Sequence, residues 1–254
     1  MNSYYGELCT KIYESDKSLA EGRELDFYLS FVDRTDMRVL EPMCGNGRML
    51  IPFMQRGIQI EGFDISEDML KVCREKGDRF NLKPHVYYQK IEDFVSSEQF
   101  DLIMIPFGSF SLLPSELVNQ SLANLQSALK AEGKLLLTIM LKGNNVEEIP
   151  EWRETDRKVV NDELIVLSKK VQYRKEQSML VTELKYELVK DDKIQKTEVM
   201  NFPLRLYDMR EFEDILRENG FQHIHLHEVK DGYGEGTYFH IFECSLSDLS
   251  QGAT

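Results

Sequence analysis

Cysteine is scarce and scattered. Four residues, Cys9, Cys44, Cys73 and Cys244, include no close pair that would make a metal knuckle or a redox dithiol. Reduced thiols in a cytoplasmic protein are the expectation, and no metal ligand set is read. No stretch approaches the ~18 to 20 uninterrupted apolar residues of a membrane-spanning helix, which excludes a membrane partner. Residues 1–16 lack a basic start followed by an apolar run, so no secretory signal is expected. Positive charge is in deficit: 31 Lys and Arg face 44 Asp and Glu, a formal net charge of −13. Such a chain repels a phosphate backbone unless its cations cluster. The most basic run, Lys169-Lys170 with Arg174-Lys175, has acidic neighbours and reads as a solvated strand face. Nucleic acid is therefore set aside as a partner in favour of a small molecule. What the chain does have is core-forming material. Hydrophobic residues make up 42% of its 254 positions, enough for one large domain or a domain with an inserted lobe.

Apolar periodicity gives the organisation. Residues 1–34 read as helix, with Leu8, Ile12 and Tyr13 on one face and Leu25, Tyr28, Leu29 and Val32 repeating the rhythm. Short apolar strands follow at 37–41, 58–64, 86–88, 100–105 and 134–140. Helices alternate with them at 48–56, after Ser66, and at 114–130. Near-continuous apolar strands alternating with helices specify a parallel sheet covered on both faces. From about Asn144 the pattern changes. Residues 163–173, 179–190 and 194–204 read as long strands of an antiparallel meander with one wet face; Leu180, Thr182, Leu184, Tyr186 and Leu188 share its apolar side. Asp208 paired with Glu211 marks a capped helix, and strands at 221–229 and 237–244 close the fold. The expected class is α/β, a Rossmann-like doubly wound, mostly parallel sheet with an inserted antiparallel β meander. Its divisions are a helical cap (1–34), a core (35–143 and 205–245), a lobe (144–204) and a flexible tail (246–254).

The informative stretch is Glu41-Pro-Met-Cys-Gly-Asn-Gly-Arg48, where a buried strand turns into a helix. Glycines there let a ligand approach the backbone and present amides at the helix start. Asp64 ends the next strand, where a carboxylate can accept both hydroxyl hydrogens of a ribose. Together these imply a nucleoside-containing cofactor in the crevice beyond the strand ends. Gly45-Asn46-Gly47-Arg48-Met49-Leu50 lacks the last glycine of a dinucleotide fingerprint, and no phosphate-binding G-x-x-x-x-G-K-[ST] element is present. Glu41 would repel a pyrophosphate and welcome a cation. The loop suits a cofactor with a sugar and a positive charge but no phosphate.

The same residues, with Gly62-Phe-Asp-Ile-Ser-Glu-Asp-Met-Leu70, Glu92-Asp-Phe94, Phe100-Asp-Leu-Ile-Met104 and Ala131-Glu-Gly-Lys-Leu-Leu136, resemble the class I S-adenosylmethionine-dependent methyltransferases, especially those acting on small molecules. The likeness spans about residues 35–142 and 205–245. It implies S-adenosyl-L-methionine as cofactor, with S-adenosyl-L-homocysteine as product. Gly45, Asn46 and Gly47 would lie against its methionine portion, Glu41 would order its amino group, and Asp64 would hold its ribose. Ile65 and Met69 would flank the adenine, and Ile91 and Glu92 would meet its edge. Pro106 and Phe107 would border the transferring methyl, and Tyr13 and Arg23 of the helical cap would close over the site. Met43 stands where the family often has glycine or alanine, and Lys90 where many members have an adenine-contacting aspartate.

The implied activity is methyl transfer by in-line displacement to an O or N atom of a small metabolite. A catalytically silent cofactor-binding protein with an assembly role is the alternative, and a nucleotide-dependent oxidoreductase fits the loop poorly. Residues 106–110 lack the [ND]-P-P-[FYW] signature, which disfavours base or glutamine methylation. No catalytic base stands out; His225 and Tyr207 are weak candidates. His223, His225 and His227 alternate and are expected on one strand face, as structure before metal or base. The lobe would cover the acceptor crevice, with Trp152, Arg153, Tyr173, Tyr186 and Arg205 as candidate lining, or join two copies in a homodimer.

Overall fold

A computed structural model describes residues 5–143 and 147–246 of the chain. The expected start of the lobe at Asn144 and tail residues 247–254 lie outside them.

The cap is two helices, α1 (Glu7–Asp16) and α2 (Gly22–Leu29), separated by non-helical residues 17–21 where one helical rhythm is expected from the sequence. Five strands then run parallel: β1 (Arg38–Pro42), β2 (Gln59–Asp64), β3 (His85–Tyr88), β4 (Phe100–Ile105) and β5 (Leu129–Thr138). Helices α3 (Leu50–Gln55), α4 (Glu67–Arg79) and α5 (Ser115–Ala128) connect them. Ser66 caps α4, its hydroxyl accepting from Met69 N at 3.2 Å, and the charges of α4 follow its dipole: Glu67 and Asp68 first, Lys76 and Arg79 last. On α5, Val118, Leu122 and Leu125 recur at helical spacing and are buried against the sheet. β5 begins at Leu129, five residues before the expected strand, because Leu129 pairs with Phe100 ahead of a register shift.

The meander has four strands, one more than expected: β6 (Ile149–Val160), β7 (Glu163–Arg174), β8 (Met179–Lys190) and β9 (Lys193–Arg205). β6 is mostly exposed and carries Glu, Arg, Asp and Lys, so it offers no apolar alternation to read. The predicted Asp208–Glu211 capping box is present on α6 (Met209–Glu218). β10 (Gln222–Lys230) and β11 (Tyr238–Ser245) form the last hairpin, β11 running antiparallel to both β10 and β5.

The main sheet has the order β10-β11-β5-β4-β1-β2-β3, and the lobe is a separate sheet, β6-β7-β8-β9. Apolar residues fill both faces of the main sheet. One side holds Phe63, Phe100, Ile103 and Leu122, the other Val39, Leu50, Phe53 and Leu102. This is the doubly wound α/β class expected. A third cluster joins Leu8, Cys9 and Ile12 of α1 to Ile165, Tyr186 and Met200 of the lobe, so the cap is wedged under the meander.

Candidate active site

Between β1 and α3 the chain winds tightly. Met43, Gly45 and Gly47 all have positive φ (+59°, +53° and +72°). The turn is strapped to the end of β2: Cys44 N donates to Phe63 O at 3.0 Å, and Gly45 N to Asp64 Oδ2 at 2.9 Å. Asp64 Oδ1 accepts from Ser66 N at 2.9 Å, which fixes the carboxylate at both oxygens. A Cβ on Gly62 would lie 2.9 Å from Cys44 Cβ, Glu41 O and Leu50 Cδ1, so only glycine lets β2 run this close beneath the loop.

A cavity of about 250 Å³ opens over this turn at the carboxyl ends of β1, β2 and β4. Tyr13, Glu41, Gly45, Asn46, Asp64, Ile65, Met69, Ile91, Glu92, Pro106 and Phe107, all expected at one site, line it. Two expected residues do not. Arg23 lies on the surface, 3.3 Å from Asp231 Oδ2, because α2 turns it toward the β10–β11 hairpin. Gly47 packs behind the turn, where a Cβ would collide with Cys73 Sγ. Asn46 is buried, and its amide is engaged by the cap: Nδ2 donates to Glu14 Oε2 at 2.6 Å and to Lys17 O at 3.3 Å.

Tyr5 of the cap lines the cavity too, and so do Arg48 and the β9 segment from Met200 to Pro203, which were unforeseen from the sequence. Arg48 had a visible signal, a cation directly after the glycine turn; the β9 residues had none. Arg48 Nη2 is 2.6 Å from Glu24 Oε2, whose side chain is fully buried, and its guanidinium sits 4.8 Å from the Phe107 ring centroid. A run of edge-on rings lines the cavity from Phe202 through Tyr5 and Tyr13 to Phe107, which meets Tyr233 of the last hairpin outside it.

Burial pushes the Glu41 carboxyl well above its usual range. Glu24 and Asp64 push the same way, and Arg48 opposes. Burial also raises Asp64, against the hydrogen bonds from Ser66, Gly45 and Ile65. Although burial disfavours the Arg48 charge, Glu24 beside it more than restores it. Glu41 Oε2 and Arg48 Nε have no hydrogen-bond partner among the described residues. Buried polar atoms are almost always paired, so a spare acceptor and a spare donor on one cavity call for a ligand carrying both complements.

Residues 39–133 match the family described as a methyltransferase domain. The chain is 26% identical over 103 residues to a Geobacillus sp. (strain WCH70) protein provisionally named a methyltransferase, covering 40% of this chain and 42% of that one. The chain thus matches less than half the length of that relative. Among solved structures it superposes on an S-adenosylmethionine-dependent methyltransferase from Clostridium acetobutylicum ATCC 824 with a TM-score of 0.73 (17% identity, 93% and 97% of the two chains). The sugar N-methyltransferase KedS8 from Streptoalloteichus sp. ATCC 53650 gives a TM-score of 0.73 at 13% identity, over 98% and 94%. Residues 39–133 are thus similar to a methyltransferase domain, and the chain has the fold of S-adenosylmethionine-dependent methyltransferases.

The methionine end of S-adenosylmethionine bears an ammonium and a carboxylate, the two complements that Glu41 Oε2 and Arg48 Nε lack, so the residues present fit that group. The other expected site residues fall elsewhere. Tyr186 is buried against α1, Trp152 lies between Lys170 and Lys185, and Arg153 pairs with Glu147 in solvent. The Tyr173 amide is held by Glu148, and Arg205 rests on the Tyr207 ring and pairs with Glu211. None of the five lines the cavity. Neither do the two weak base candidates: Tyr207 is sealed in the core and His225 is exposed on β10. The histidine ladder is interrupted as well. A register shift between Gln222 and His225, with His223 at φ +47°, breaks its alternation, while His227 bonds Glu243 at 2.7 Å.

Proposed function

We propose that this protein transfers a methyl group from S-adenosylmethionine to an O or N atom of a small metabolite, leaving S-adenosylhomocysteine. The observation that carries the reading is the pair of buried, unsatisfied groups of opposite character, Glu41 and Arg48, over a glycine turn whose next strand ends in Asp64. In this reading Glu41 takes the cofactor's ammonium, Arg48 its carboxylate and Asp64 its ribose hydroxyls. Ile65 and Met69 flank the adenine, and Ile91 and Glu92 meet its edge.

When bound, the cofactor supplies an electrophilic sulfonium methyl. The chain's own part is alignment and exclusion of water. Tyr5, Tyr13, Phe107 and β9 residues Met200 to Pro203 line the cavity around the glycine turn. Alignment of this kind accounts for a large share of the rate in a displacement that needs no covalent help from the protein. A base is required only if the acceptor arrives protonated. The fold likeness to a sugar N-methyltransferase makes amino sugars the first acceptors to try.

The proposed division of labour is a cofactor-binding core (35–143, 205–245), a cap (1–34), a lobe (144–204) that covers the acceptor side and would pair two copies, and a tail (246–254). The four cysteines are free, and those thiols suit the cytoplasm. No helix among the described residues is long and apolar enough to cross a membrane. Calorimetry with S-adenosylmethionine and S-adenosylhomocysteine tests the cofactor, and transfer of labelled methyl into an amino-sugar panel and a metabolite extract tests the reaction. Binding without transfer would leave the silent binder, and absence of binding would reject the reading.

A further inference from the structure

The wall that would meet the adenine edge is a single 3₁₀ turn, residues 91–93, whose ends are pinned by the buried side chains of Ile91 and Phe94, while its backbone carries weak hydrogen bonds of its own. Its internal hydrogen bonds are long: Asp93 N to Lys90 O is 3.2 Å and Phe94 N to Ile91 O is 3.3 Å. The Lys90–Glu92 ion pair is stretched to 4.0 Å with Lys90 half in solvent, so it fixes little. The backbone of the turn is instead held from the neighbouring helix. Asn124, on the middle of α5, donates from Nδ2 to Ile91 O at 3.0 Å and to Glu92 O at 2.8 Å. Its Oδ1 accepts from Gln120 Nε2 at 2.8 Å, one helical turn earlier, which fixes the amide's orientation. One side-chain amide thus spends both N–H bonds on two successive carbonyls of the segment that lines the cavity.

We propose that Asn124 is the positioning residue for base recognition: by clamping the Ile91 and Glu92 carbonyls it sets the Glu92 carboxylate and the turn's backbone against the nucleobase edge, and so makes the site select adenine. The inference rests on the proposed cofactor reading. An adenine edge offers a 6-amino donor beside an N1 acceptor, and hypoxanthine reverses both. A rigid turn that holds a carboxylate opposite position 6 accepts from the amino group of adenine and repels the oxo oxygen of hypoxanthine. A loosened turn loses that distinction before it loses the ribose and methionine contacts, which belong to β1 and β2. Asn124 itself does not touch the cavity.

The test compares S-adenosylhomocysteine with S-inosylhomocysteine by calorimetry on the full-length wild type, Asn124→Ala and Gln120→Ala. The wild type should favour the adenosyl compound at least tenfold. Asn124→Ala should bring the two within about threefold, chiefly by weakening the adenosyl compound, and Gln120→Ala should give a smaller change in the same direction. An unaltered preference in a folded Asn124→Ala protein overturns the proposal, as does an equal loss for both compounds. Hydrogen exchange over residues 89–95 provides a readout that needs no ligand and can be followed in Gln120→Ala if the alanine variant of Asn124 does not fold. Faster exchange in the variant supports the clamp, and unchanged exchange refutes it. If the wild type binds neither nucleoside, the cofactor reading itself fails, whereas the exchange result still reports on the clamp.

Discussion

At the scale of single residues the proposed chemistry rests on two carboxylates that line the cavity, Asp64 and Glu41. Asp64 accepts a backbone N–H at each oxygen, from Gly45 and Ser66, and would still have lone pairs for ribose hydroxyls. Asp64→Asn puts a donor opposite one of those amides and impairs a partner for buried hydroxyls. Affinity for S-adenosylhomocysteine should fall by about 1 to 3 kcal/mol, read by calorimetry on protein shown to be folded. Unaltered affinity would contradict the ribose role.

Glu41 gives a pH prediction. Its carboxyl is raised by burial above the ordinary value of 4.5, so the free folded protein holds this proton more tightly than the unfolded chain does. That contribution to stability is complete below pH about 4.5 and is lost as pH rises through the raised folded value. A ligand ammonium favours the carboxylate. Cofactor affinity should therefore rise with pH across that window, with release of a proton. Calorimetry in buffers of different ionisation enthalpy should count the proton, and Glu41→Gln should remove that part of the slope although Glu24 and Asp64 also titrate upward.

Among the elements, α1 is the one whose placement matters most. Its carboxyl end is tied to the glycine turn, for Glu14 Oε2 accepts from Asn46 Nδ2 at 2.6 Å and pairs with Lys76 Nζ at 2.8 Å. Its amino end is held by the lobe, where Glu198 Oε2 accepts Leu8 N at 2.8 Å in place of a local cap. The two ties differ in weight. Lys76 is only 2% exposed, so Glu14→Ala leaves a buried ammonium with Ser18 O in place of its carboxylate and should cost about 3 to 5 kcal/mol of stability. Glu198→Ala removes one exchangeable cap and should cost about 1 kcal/mol. Urea unfolding of both variants decides whether the cap belongs energetically to the core or to the lobe. Equal losses would contradict the assignment to the core.

For the molecule as a whole, core, cap and lobe all contribute lining to one cavity, so a cofactor bound there stabilises them together. At a free concentration of 100 times Kd, S-adenosylhomocysteine should add about 2.7 kcal/mol. For a chain of this size that corresponds to a Tm increase of roughly 5 to 10 °C. Differential scanning fluorimetry should show one transition moving as a unit. A shift confined to part of a split transition would mean that the lobe does not share the site.

Much of this was legible in the sequence, for local reasons. Buried strands must be continuously apolar, a glycine turn must follow a strand to open a ligand crevice, and a carboxylate ending the next strand is a short-range feature. Hence the parallel core, the capping box on α6 and nearly all of the lower cavity wall could be read from neighbouring residues. β6 could not, because a strand held by backbone pairing at the rim of the lobe needs no apolar pattern. Arg23 and Arg48 show the same limit on one side chain type: both are arginines near the cofactor loop in sequence, and only the packing of α2 sends the first to the surface while Glu24 holds the second inside. The Asn124 clamp spans more than thirty positions, and the β9 roof reaches the cavity only because the lobe folds back over α1. The sequence alone determined the alternating elements of the parallel core and most residues that ring the turn, since those depend on periodicity and backbone freedom within a few positions. Only the tertiary structure decided which charges are buried, paired or left wanting a partner, since desolvation depends on what the rest of the chain places around them.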